Sequence, residues 1–154
     1  MSKISEVSII QEPEHYTLTI RKTINFLKDF PAEAGQAFGR TAQYIGEMGL
    51  SPMNGPIVCY HNQDLEACDV EMGWQIAQPV EKKDDMVCNQ IPSRKIASAI
   101  DLGPYEDSDP TLEAVFNWTK EKGLETQGTI YNCYLNDPNR PPAEYLTQMY
   151  LPLK

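Results

Sequence analysis

Glu47-Met48-Gly49-Leu50 leads into Cys59-Tyr60-His61-Asn62. Seventy-four residues further on, Glu121-Lys122-Gly123-Leu124 leads into Cys133-Tyr134-Leu135-Asn136. Six positions (Glu, Gly, Leu, Cys, Tyr, Asn) coincide at one ungapped offset, close to half of the 154 residues. A half-length repeat means two copies of one supersecondary unit; a solenoid would need three or more. Two such halves commonly face each other across a pseudo-two-fold axis, and the seam is the natural place for a cavity.

Outward from this repeat, hydrophobic period assigns the elements. Val7 to Ile10 is a short apolar run broken by Glu12-Pro13. His15 to Ile24 alternates, with Tyr16, Leu18, Ile20 and Lys22 on one face, and is rich in β-branched residues, so it reads as a strand. Pro31 suits the first residue of a helix. Ala34, Ala37, Phe38, Ala42, Ile45 and Met48 then form a stripe of period 3.6, and Gly49 closes the helix in positive φ. Ser51 to Pro56 is a turn cluster, followed by strands Ile57–Tyr60 and Cys68–Ile76.

The second half repeats the order. Strands are expected at Met86–Ile91 and Arg94–Leu102, ended by Gly103-Pro104. A helix capped at Ser108 with Pro110 in its first turn runs to Lys122, with Leu112, Val115 and Phe116 inward. Strands Thr129–Leu135 and Tyr145–Leu151 flank a proline-rich loop from Asn136 to Pro142. The expected fold is α+β. It consists of duplicated β-β-α-β-β modules forming an antiparallel eight-stranded sheet, with two helices on one face and a cleft on the other. Residues 1–154 form one domain, with pseudo-repeats at about 1–82 and 83–154 joined by the charged Lys82–Asp85 connector. Each half is too small to bury enough surface alone.

Composition narrows the function. Apolar residues make up 41% and charged residues 23%, and no apolar run approaches a membrane span. The N-terminus lacks the apolar core of a signal peptide, so a cytoplasmic location is expected. A net charge of −9 with scattered basic residues argues against nucleic acid as a direct partner. Cys59, Cys68, Cys88 and Cys133 show no C-x-x-C spacing, and His15 and His61 complete no metal motif. They read as reduced thiols in strands, with no metal and no cofactor expected. No G-x-S-x-G, G-x-G-x-x-G or P-loop occurs.

One ordered set of motifs carries a family likeness: Gly103-Pro104-Tyr105, a helix, Glu121 to Leu124, Asn136-Asp137-Pro138, and Pro141 through Tyr145-Leu146-Thr147-Gln148-Met149-Tyr150 to Pro152. With Asp69 to Gly73 in the first half, it resembles the GyrI-like small-molecule-binding superfamily. That group includes effector-binding domains of MerR- and AraC-type multidrug regulators. The resemblance covers nearly the whole chain. It implies two strand-helix-strand-strand modules around a cleft that takes aromatic, often cationic, small molecules. Aromatic walls and buried carboxylates suit such ligands. At two places where members carry an acid, this chain carries an amide, Asn132 and Gln148, which implies a less acidic cleft. Glu71 keeps its acid at the pseudo-symmetric position of Gln148.

The ligand-binding candidates are therefore Tyr60, Glu71, Tyr105, Trp118, Asn132, Tyr134, Gln148 and Tyr150. Residues two apart on a strand share a face, so Asn132 pairs with Tyr134 and Gln148 with Tyr150. These sets are expected on one surface. If it is the cleft they contact ligand; if it is the helix-packed side the tyrosines are core. Tyr60, repeat-mate of Tyr134, lines the equivalent wall. Tyr105 would close over the cleft, and Trp118 would either cap the pocket or pack as core.

Three functional readings follow. The first is binding of a small hydrophobic or aromatic molecule for sensing, sequestration or control of a protein partner. The second rests on standalone members resembling hydrolases of strained cyclopropane-containing electrophiles, in which Glu71 or Glu144 would activate water. This chain is expected to stand alone without a DNA-binding domain, which would remove the simplest regulator role. The third is a gyrase-inhibitor-like module that binds protein.

Overall fold

In the computed structural model, which describes residues 2–105 and 108–154, the chain is α+β. All eight expected strands form, and a two-residue β1 (Ser2–Lys3) precedes them. The others are β2 (Ser8–Glu12), β3 (His15–Ile24), β4 (Met53–Tyr60), β5 (Cys68–Ile76), β6 (Met86–Ile91), β7 (Arg94–Leu102), β8 (Ile130–Tyr134) and β9 (Leu146–Pro152). The helices are α1 (Phe26–Glu47) and α2 (Asp109–Glu121).

The chain forms two compact units, Pro13–Pro92 and Met1–Glu12 with Ser93–Lys154. In the first, β4, β5, β3 and β6 lie side by side, all antiparallel, with α1 on β3 and β5. In the second, β8, β9 and β7 lie side by side with β1 and β2 both on the outer edge of β7, and α2 covers β7 and β9. The leading strand of each sequence copy is therefore spent on the other copy: β2 pairs β7, and β6 pairs β3. The divisions by pairing fall at residues 12/13 and 92/93, whereas the copies seen in sequence meet near Lys82–Asp85.

In the first unit Leu18, Ile20, Val70, Met72 and Ile76 are buried on the α1 side, the strand face that the alternation of β3 specified. Lys22 reaches the same side and pairs with Glu33 of α1 at 2.7 Å. The indole of Trp74 donates to the carbonyl of Phe38 at 2.9 Å.

Helix α1 starts five residues before the expected Pro31. The Asn25 side chain accepts from the Lys28 amide at 3.1 Å, while the Asn25 amide donates to Asp29 at 3.2 Å. Two end groups of the helix are thereby satisfied at once, and this cap outweighs the single N–H that Pro31 withholds further in. In α2 the buried stripe is Thr111, Val115 and Thr119. Leu112 and Phe116 are half-buried, because Thr111 turns inward to donate to the buried Asp101 at 2.6 Å. Gly49 and Gly123 close the two helices at φ 75° and 67°, a conformation that side chains disfavour. No described helix is long and apolar enough to cross a membrane.

Candidate functional site

Strand alternation sends Thr17, Thr19 and Arg21 of β3 to the face opposite α1. The pairings Arg21↔Glu71 and Cys59↔Glu71 set Glu71 between β3 and β4 on that face. His61 follows Cys59 by two residues and stays on the same side. Asn89 of β6 stands opposite Thr17.

Four side chains converge on the Glu71 carboxylate. Thr19 donates its hydroxyl to Oε2 at 2.6 Å, and Asn89 donates Nδ2 to the same oxygen at 3.0 Å. The amide nitrogen of Asn89 also reaches Thr17 and Thr19 at 3.2 and 3.1 Å. His61 Nε2 lies 2.8 Å from Oε1. The Cys59 thiol completes the group: one donor atom each from Cys59, His61 and Glu71 lie within 4.8 Å of one another. Cys59 is 1% exposed; the His61 and Glu71 side chains keep 20% and 16% of their surface.

The nearest permanent cation is engaged elsewhere. Arg21 grips Asp69 through two bonds of 2.9 and 2.8 Å. That hydrogen bond, aided by the guanidinium charge, holds the Asp69 carboxyl below the ordinary range. Among the described residues, the basic group in direct contact with Glu71 is the His61 imidazole. A half-buried carboxylate carried by neutral donors and one imidazole can accept a cationic guest, take a proton, or serve as a metal ligand.

The second unit places Gln148 in the same way. Gln148 lies between Cys133 and Ile100, as Glu71 lies between Cys59 and Arg21, and donates to Ser98 at 3.0 Å. Its neighbour Tyr150 is 1% exposed and stacks on Tyr131 with centroids 5.0 Å apart and planes 9° apart. Burial pushes the Tyr150 hydroxyl well above its ordinary pKa. Arg94 lies over Tyr131 at 5.0 Å and bonds Glu12 at 2.6 Å.

The candidates expected on one surface divide between opposite faces. Glu71, Gln148 and Tyr150 lie opposite the helices, and Tyr150 is enclosed. Asn132 pairs with Met149 and Tyr134 with Thr147, one step out of phase with Gln148. They share the α2 side with Asp101, which binds Thr111 of the helix. Tyr134 packs there on Tyr105 at 4.8 Å, and Tyr105 stacks on Tyr145 at 4.7 Å. Tyr60 likewise turns to the α1 side, 6.0 Å from Phe26 and 6.4 Å from Phe30. The reason is parity: Cys59 and Tyr60 are adjacent, so only one can face Glu71, and the register gives that place to Cys59. Trp118 is half-buried on α2 with Lys122 over its ring. Glu144 does not open β9; it ends a short 3-10 turn (Pro142–Glu144), 54% exposed and paired with Arg140 at 3.1 Å.

Sequence reading missed Thr19, Cys59, His61 and Asn89. Cys59-x-His61 does have strand spacing for one face. Its meaning depends on the register that brings Glu71 opposite, and no local motif encodes that register.

The family model for the GyrI-like small molecule binding domain matches residues 5–154, and the chain belongs to that family. No curated protein matches the sequence. Among solved structures, the EcmrR C-terminal domain superposes with a TM-score of 0.83 at 15% identity, covering 98% of each chain. In the EcmrR–DNA complex the match has a TM-score of 0.81 at 17% identity, covering 97% of this chain and 57% of that one; the chain thus spans little more than half of that EcmrR chain. SAV2435, solved bound to tetraphenylphosphonium, gives 0.59 at 17% identity, covering 97% and 94%. A hydrolase encoded by lin2189 from Listeria innocua gives 0.69 at 14% identity, covering 99% and 94%. At these identities the likeness is one of fold.

Proposed function

We propose that this domain binds a small hydrophobic or aromatic molecule bearing positive charge on the strand face around Glu71, as a sensing or sequestering module. The observation that carries this reading is the state of the Glu71 carboxylate. It is held by Thr19, Asn89 and His61, while Arg21 is committed to Asp69. An organic cation laid beside it adds a positive charge in direct contact, a place that Arg21, bonded to Asp69, does not take. Membership of the family supports the ligand class, and tetraphenylphosphonium, the ligand of SAV2435, is a suitable probe. With Gln148 in place of a second acid, charge selectivity rests on Glu71 alone of the two pseudo-equivalent positions.

The test is calorimetric titration with tetraphenylphosphonium and with neutral triphenylphosphine oxide. Glu71→Gln is expected to weaken the cation about tenfold, equivalent to about 1.4 kcal/mol, and to leave the neutral compound unchanged. Equal loss for both removes Glu71 from charge recognition.

The His61–Glu71 contact of 2.8 Å also suits a carboxylate–imidazole pair that takes a proton from water, which favours a hydrolase as the second reading. Of the two candidate carboxylates only Glu71 has such a partner, since Glu144 bonds Arg140. Multiple turnovers of a cyclopropane-type electrophile, lost in Glu71→Gln, would establish that activity in place of simple binding.

A further inference from the structure

We infer that Cys59, His61 and Glu71 form a site for a zinc-class divalent metal ion. Three potential ligand atoms of three chemical types already lie within 4.8 Å of one another. They are a thiol, an imidazole and a carboxylate, and as thiolate, neutral imidazole and carboxylate they balance the charge of a divalent ion. Zinc, borderline in softness, takes this mixed set, with bonds of about 2.3 Å to sulfur and about 2.0–2.2 Å to nitrogen and oxygen. A tetrahedron with those bonds sets its ligand atoms roughly 3.4–3.6 Å apart. The His61–Glu71 distance of 2.8 Å has to open slightly, and the Cys59 side chain has to close by at most roughly 1.2–1.4 Å.

The surroundings are arranged for this. Both neutral donors, Thr19 and Asn89, hold Glu71 through Oε2, which leaves Oε1 aimed at His61. Outer-shell bonds of this kind orient a metal-ligating carboxylate. The one nearby guanidinium is tied to Asp69, so the metal does not meet a free positive charge. The three ligands come from paired strands, with Cys59 directly opposite Glu71 and the His61 amide bonded to the Asp69 carbonyl at 2.8 Å. Backbone pairing therefore sets the three ligand residues beside one another. On binding, the Cys59 thiol loses its proton to solvent, and His61 coordinates through Nε2 with its proton on Nδ1. Three protein ligands leave a fourth position for water or another donor.

The molecule contains its own control. In the second unit Cys133 occupies the place of Cys59, but it faces Gln148 where Cys59 faces Glu71, and Leu135 stands at the position of His61. An amide and a leucine offer no such ligands.

This inference does not rest on the organic-cation reading. It gives Glu71 a second occupant, and the two must compete, because a bound metal neutralises the carboxylate. The test is optical titration of the purified chain with cobalt(II). Wild type is expected to show a thiolate-to-cobalt charge-transfer band that zinc displaces. The band should vanish in Cys59→Ser and remain in Cys133→Ser, and Asn89→Ala should weaken cobalt binding about 10–100-fold. If Cys59→Ser fails to fold, His61→Ala takes its place, with at least a tenfold loss expected. A wild type without the band, a band surviving in Cys59→Ser, a band lost in Cys133→Ser, or unchanged affinity in His61→Ala overturns the assignment. Cobalt binding without tetraphenylphosphonium binding, or the reverse, shows which of the two readings has failed.

Discussion

Glu71 and Gln148 occupy the same place in two copies of one strand pattern, and their neighbours differ in kind. Glu71 has Arg21 and Cys59 across from it, with Thr19 donating to it; Gln148 has Ile100 and Cys133, and itself donates to Ser98. Two residues along, the first unit has Gly73 and the second has Tyr150, stacked on Tyr131. Asn89, opposite Thr17, is matched by Ile10, opposite Ile96. One copy has spent its positions on polar groups around a carboxylate, the other on aromatic packing and an enclosed ion pair. A duplicated scaffold tolerates this because sheet pairing is carried by the backbone, which leaves the side chains of one face free to diverge.

The comparison can be broken most severely at Gly73. A Cβ there would stand 1.9 Å from the Leu18 carbonyl oxygen and 2.8 Å from the Thr19 Cα. Gly73→Ala is expected to cost about 4 kcal/mol, a large part of a domain's stability, read as a fall in the urea midpoint. Gly39→Ala on α1, where no atom lies within 4 Å, should instead gain up to about 1 kcal/mol.

The two arginine pairs give the next largest contrast. Arg94 and Glu12 have side chains only 10% and 12% exposed, so Arg94→Ala strands a carboxylate away from water and should cost about 3 kcal/mol. Arg21 is 55% exposed, and Arg21→Ala should cost less than about 1 kcal/mol. Equal losses in thermal or chemical unfolding would mean that the second unit's pair is not enclosed as described.

Glu71→Gln then makes the first unit resemble the second chemically, and the tenfold loss of tetraphenylphosphonium affinity measures what the acid contributes. Smallest of all, Glu144→Gln should shift stability by no more than about 0.5 kcal/mol and leave tetraphenylphosphonium affinity unchanged, since its ion pair with Arg140 lies in solvent. A larger loss of affinity would return Glu144 to the candidate site.

Much of the fold was legible locally. The strands His15–Ile24, Cys68–Ile76, Met86–Ile91 and Arg94–Leu102 have the expected boundaries. The turn cluster at Ser51–Pro56 was less so, because Asn54 takes a φ of 58° and β4 continues through an irregularity as far back as Met53. Of the site, Glu71 was legible as a repeat-mate of Gln148, and the paired registers agree with that match. Asn132 was assigned to its surface by the family motif, Tyr134 by sharing a strand face with Asn132, and Tyr60 by the repeat, and the repeat carries no parity. It makes Tyr60 and Tyr134 equivalent to each other without saying which side of the sheet they share.

Composition, period and duplication are properties of the chain read in order. They determined that two β-β-α-β-β copies form an α+β protein, while the GyrI-like likeness came from the ordered motifs between Gly103 and Pro152. Which copy receives β2 and β6, and which side chains meet at Glu71, depends on pairing between strands tens of residues apart. Hydrogen bonds to the backbone are alike for every residue type, so the register emerges only when the whole sheet selects the face it buries against its helix. For that reason Cys59, His61 and Asn89 became neighbours of one carboxylate only in the folded chain.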